Sequence, residues 1–186
     1  MHRTLSLFGL VFISALLADR VLGQTEWTNA QKIANAMTAA PSSISEHATI
    51  MEWQNDKAVT LRAGTNGWTC VPTNPAKEGN QPMCVDEEWM SFMNALKTKT
   101  APHVKRLGVG YMTAPGGGSA SNTDPFAKVA TPDNEWGYDP PHVMLLVADP
   151  HELEGIPAKR QSGGPWVMWA GTAYAHIMVP LVPPQR

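Results

Sequence analysis

Two copies of one short pattern carry the most chemistry in this 186-residue chain, His142-Val143-Met144 and His176-Ile177-Met178. In a strand, side chains two apart share a face. Each copy then sets an imidazole beside a thioether. Neighbouring strands in suitable register would converge four soft-to-borderline donors, a set suited to copper(I) in an exported protein. Met112 and His103 could extend it. The competing reading makes Met144 and Met178 core filling and each histidine the mark of a strand edge. A second constellation is Asp149, His151 and Glu152, at the end of a long apolar run. Carboxylates and imidazole at a strand end suit catalysis or metal binding, although Asp149-Pro150 is also a good helix start. Ser119, Ser121 and Ser162 lie in glycine-rich stretches without a Gly-x-Ser-x-Gly elbow. Gly116-Gly117-Gly118 lacks the lysine and helix of a phosphate loop, and no zinc-protease or zinc-finger spacing occurs. Trp136 and Tyr138, set among acidic residues, are aromatics of a kind that binds sugars, peptides or partner surfaces from loops.

The elements that must position these groups follow from periodicity and caps. Thr28-x-x-Gln31 has the form of a capping box and predicts a helix over Asn29–Ala39, ended by Pro41. Ala48–Trp53 reads as a strand, and Gln54-Asn55-Asp56 as a turn. Val59, Leu61 and Ala63 alternate with polar or small residues as in a half-buried strand. Asn66-Gly67 predicts a type I′ hairpin returning through Trp68–Val71, which would make a three-stranded meander. Asp86 caps a second helix whose Trp89, Phe92, Met93 and Leu96 share one face. Leu107–Thr113 and His142–Ala148 are further strands. The C-terminal stretch Gly163–Pro184 reads as a hairpin hinged at Gly171-Thr172, its tryptophans closing the core. Between these elements the region 114–141 reads as one long Gly- and Ser-rich loop, mobile or functional.

Compartment is read from the N-terminus and the cysteines. Leu5–Ala18 is a mainly apolar run behind His2 and Arg3, too short for a membrane span and suited to a signal peptide over residues 1–23. The remaining residues, 24–186, form one exported domain with no further stretch of spanning length, so no membrane insertion is expected after cleavage. Cys70 and Cys84 are the chain's two cysteines, and in an oxidising compartment they pair as a disulfide bracing the segment Val71–Met83. The net charge of −2 gives no electrostatic reason to bind nucleic acid.

The strings Thr65-Asn66-Gly67-Trp68-Thr69-Cys70, Pro82-Met83-Cys84, Pro141-His142-Val143-Met144, Gly163-Gly164-Pro165-Trp166-Val167-Met168-Trp169 and Tyr174-Ala175-His176 resemble a group of exported bacterial proteins of unknown function. The resemblance spans about Ala48 to Pro180. It implies a periplasmic or secreted location, and no catalytic or ligand residues come with it. The expected fold is a single α+β domain, with an antiparallel or mixed sheet of about six or seven strands and two or three helices packed on it. The expected function is that of a binding or structural module rather than an enzyme, its partner an unidentified small molecule or protein. Copper(I) at His142, Met144, His176 and Met178 is one alternative, and a hydrolase with a site near Asp149 the other. Copper is the one cofactor implied.

Overall fold

A computed structural model describes residues 27–75, 79–160 and 163–181. The expected leader at residues 1–23 lies outside these, as do Ser162 and the last prolines. An eight-stranded mixed sheet dominates, in the order β2-β1-β3-β4-β5-β8-β10-β9, with a separate two-stranded sheet of β6 and β7. The strands are β1 Thr49–Gln54, β2 Lys57–Arg62, β3 Thr69–Val71, β4 Met83–Val85, β5 Gly108–Met112, β6 Gly118–Ser121, β7 Trp136–Asp139, β8 His142–Leu146, β9 Trp166–Met168 and β10 His176–Pro180. Three α-helices accompany them, α1 Asn29–Met37, α2 Ser42–Ser45 and α3 Glu87–Thr98. The α+β class and the mixed sheet stand, with more strands than the sequence suggests.

Local chemistry explains most of the elements. Thr28 and Gln31 complete the reciprocal capping box that starts α1. At α3, one Asp86 carboxylate oxygen accepts from the Trp89 backbone N–H and the other from the Val109 N–H, so the cap also fastens the helix to β5. The tight turn between β1 and β2 falls at Asn55 and Asp56, both in the left-handed region (φ 47° and 64°), where short polar side chains are best tolerated.

The meander through Asn66-Gly67 does not form. β3 pairs in parallel with β1, not with β2. Only Gly67 of the two has a positive φ, so the type I′ requirement is unmet. The Asn66 side chain instead donates to the Ile44 carbonyl and accepts from the Trp68 N–H. Gly64 lies against the Ala48–Thr49 backbone, where a Cβ would stand 2.1 Å from the Thr49 nitrogen. That close crossing carries the chain past β1 to its far side.

The disulfide joins directly opposed residues of antiparallel neighbours, Cys70 on β3 and Cys84 on β4. These cysteines face α1, together with Ala36, Ile50 and Tyr111. Alternation turns Val85 to the other face, where Trp89 and Phe92 of α3 pack with Met144, Leu146, Trp166 and Met178. The sheet is therefore covered by helices on both faces, with α3 on the one that carries the HxM residues. The 114–141 region is not one loop, because it contains the β6–β7 hairpin. Two tryptophans hold that hairpin to the main sheet: Trp169 Nε1 donates to the Ser121 carbonyl and Trp166 Nε1 to the Asn122 side chain.

Candidate functional site

β8 is a central strand, flanked by β5 and β10. Its register with β10 sets Met144 directly opposite Met178 and His142 opposite Pro180. On its other side, Met112 of β5 is opposite His142. At the sheet edge, Met168 of β9 is opposite His176. Directly opposed residues point to the same face, so His142, Met144, His176 and Met178 all stand on the α3 side, joined there by Met112 and Met168. All six line one cavity of about 350 Å³. Met83 of β4 and Met93 of α3 line it as well, so six of the chain's ten methionines surround one space. Gly110 makes room for one of them, since a Cβ there would come within 2.9 Å of the Met144 methyl carbon. The β6–β7 hairpin roofs the cavity through Gly118, Ala120, Ser121 and Asp139.

Both histidines are buried, His142 at 4% and His176 at 2% exposure. Each sets its Nδ1 against the carbonyl two residues earlier, His142 on Pro140 at 2.5 Å and His176 on Tyr174 at 3.0 Å. A carbonyl can only accept, so Nδ1 carries the proton and Nε2 the lone pair. That arrangement orients a metal-binding imidazole in known sites. His142 Nε2 is fully buried and without a hydrogen-bond partner among the described residues. Trp89 Nε1 is the other such atom, and as a donor it can serve a water or a bound anion but not a metal. Burial pushes His142 below the ordinary histidine range despite the Pro140 carbonyl and the Asp139 carboxylate. Burial likewise pushes His176 down, to about 4. The His176 ring is enclosed edge-on by Trp89, Phe92 and Trp169, with centroids 4.9–6.0 Å away. Both rings are therefore neutral near pH 7 and able to act as Lewis bases.

Beside His142, Asp139 pairs with the Arg160 guanidinium at 2.6 Å, both side chains largely buried. Burial raises the Asp139 carboxyl, and Arg160 acts against that rise. Arg160 also donates to the carbonyls of Glu135 and Ala120, which ties the hairpin to the loop before β9.

The remaining candidates lie elsewhere. Asp149 accepts from the His151 N–H as the cap of a 3₁₀ turn, Pro150–Leu153, while the exposed His151 ring contacts Glu154 at 2.6 Å. Ser121 Oγ donates to the Asn134 carbonyl and has no imidazole partner among the described residues. His103 is exposed and Tyr138 is 44% exposed on β7. Among the described residues, no group of three or more His, Cys, Asp or Glu side chains could hold a metal ion. Among the described residues, imidazole and thioether side chains gather instead along the cavity. No helix of the described residues is long and apolar enough to cross a membrane. No family model, no curated protein and no solved structure matches this chain.

Sequence reasoning found the two HxM pairs and Met112 but missed Met168 and Asp139. Met168 sits in an apolar strand where nothing local marks it as the neighbour of His176. Asp139 becomes part of the site only through the β6–β7 hairpin.

Proposed function

We propose that the protein is an exported binding protein whose cavity takes copper(I). The observation that carries the reading is the lone pair on His142 Nε2. It is buried and unpartnered, and the histidine that carries it lines a space together with six methionines. Thioethers are soft donors that favour copper(I) over the hard cations. A buried imidazole acceptor left without a partner costs on the order of 1–3 kcal/mol, a cost that a bound Lewis acid removes. Export is supported by the apolar leader-like run Leu5–Ala18 and by the Cys70–Cys84 disulfide, since disulfides persist in oxidising compartments. A hydrolase centred on Asp149 draws no such support, because that carboxylate is engaged as a helix cap.

The test is anaerobic titration of the purified protein with copper(I) against a chromogenic bicinchoninate competitor. Ascorbate keeps the metal reduced while leaving the disulfide intact. The parent protein should withdraw copper from the competitor. The double substitution Met144→Leu with Met178→Leu, which conserves volume, should weaken binding at least tenfold. A parent protein that withdraws no copper, or a double variant that binds equally well, would overturn the proposal.

A further inference from the structure

The register across β5, β8, β10 and β9 arranges the donors as three cross-strand pairs on one face. Met112 is opposite His142, Met144 opposite Met178, and Met168 opposite His176. Directly opposed Cβ atoms are about 5 Å apart, so each imidazole has a thioether of its own beside it. The two imidazoles do not share a level of the sheet. His142 is level with Pro180, four residues along β10 from His176, which at ~3.4 Å per residue is about 14 Å along the strand. At that spacing each ring has a different thioether directly across from it, so the two donor pairs stand at opposite ends of the row.

The two ends also repeat one local design. In each, the histidine Nδ1 is held by the carbonyl two residues earlier and a methionine follows two residues later. Each end is thus a complete small donor module, with an oriented imidazole, a cross-strand thioether and access to the Met144–Met178 pair between them. The cavity, at about 350 Å³, is far larger than one ion requires.

We infer that the cavity holds two copper(I) ions, one at His142 and Met112 and one at His176 and Met168, with the Met144–Met178 pair between them as a thioether bridge. The inference rests on the copper reading above and adds its stoichiometry and the division of its ligands between two ends.

Native mass spectrometry of the anaerobically loaded, purified protein counts the ions directly, and silver(I) provides a redox-inert second probe. The parent protein should carry two ions. Met112→Leu should carry one, lost from the His142 end, and Met168→Leu should also carry one, lost from the His176 end. The double variant should carry none at the same free metal concentration. Unchanged near-ultraviolet circular dichroism shows that each variant is folded, and a parent count below two overturns the inference without any variant. A parent count of one overturns the two-ion arrangement while leaving copper binding in place. A count of zero overturns the copper reading itself. A count of two that neither substitution lowers places the ions elsewhere and also overturns the inference.

Discussion

Mild acid should destabilise the metal-free protein through its two buried imidazoles. Burial pushes His176 from the usual 6.5 down to about 4, and His142 moves in the same direction for the same reason. Well above pH 6.5 each ring is neutral whether the chain is folded or not, so stability there is independent of these groups. Between pH 6.5 and 4 the unfolded chain takes up protons that the folded chain refuses, and stability falls as pH falls. At about 1.4 kcal/mol per pKa unit, His176 alone removes about 3 kcal/mol by pH 4. That is a large share of the ~5–15 kcal/mol that holds a typical domain folded. Urea unfolding at half-unit steps from pH 7.5 to 4.5, followed by the fluorescence of the seven tryptophans, measures the slope. The window from 6.5 to 5 is diagnostic because it lies above the ordinary carboxylate range. His176→Gln keeps a side-chain donor for the Tyr174 carbonyl but cannot titrate, and it should flatten the slope over that window. An identical slope in parent and variant, or an NMR titration of His176 centred near 6.5, refutes the account of a dry, neutral ring.

Three structural predictions accompany it. Replacing Cys70 and Cys84 together with alanine should lower unfolding free energy by about 3 kcal/mol, the loop-closure value for a bridge of this span; a loss below 1 kcal/mol in urea unfolding would show that the β3–β4 pairing needs no brace. Gly110→Ala should cost about 1–3 kcal/mol by forcing the Met144 methyl out of its place and should weaken copper binding as well, so unchanged values of both would remove the stated role of this glycine. Arg160→Met leaves Asp139 buried without its partner and should cost about 3–5 kcal/mol at neutral pH. Without Arg160, the Asp139 carboxyl rises further above its unfolded value, so part of that loss should return on acidification relative to the parent, and a pH-independent difference would contradict this.

What could be read from the sequence was whatever short-range chemistry decides. Thr28 and Gln31, Asp86, and the apolar run of β8 each announce their element within a few residues, and the structure follows them. The alternation of His142 with Met144 and of His176 with Met178 fixed that each pair shares a face. Long-range competition decided the rest. The turn at Gln54-Asn55-Asp56 forms where it is expected, but the Asn66-Gly67 hairpin does not, because the Gly64 crossing and the Asn66 bond to Ile44 carry the chain to the far side of β1. The β6–β7 hairpin was illegible because Gly118–Ser121 has no strand-forming residue; tertiary bonds from Trp166 and Trp169 hold it. Met168 as a partner of His176 depends on the β9–β10 register, which no local pattern reveals.

The most direct test of the central claim is X-ray absorption at the copper edge of the purified protein loaded with copper(I). Sulfur and imidazole nitrogen should appear together in the first coordination shell, the sulfur from thioether because both cysteines are joined in the disulfide. A shell of nitrogen and oxygen alone would place the metal outside the methionine-lined cavity and contradict the account.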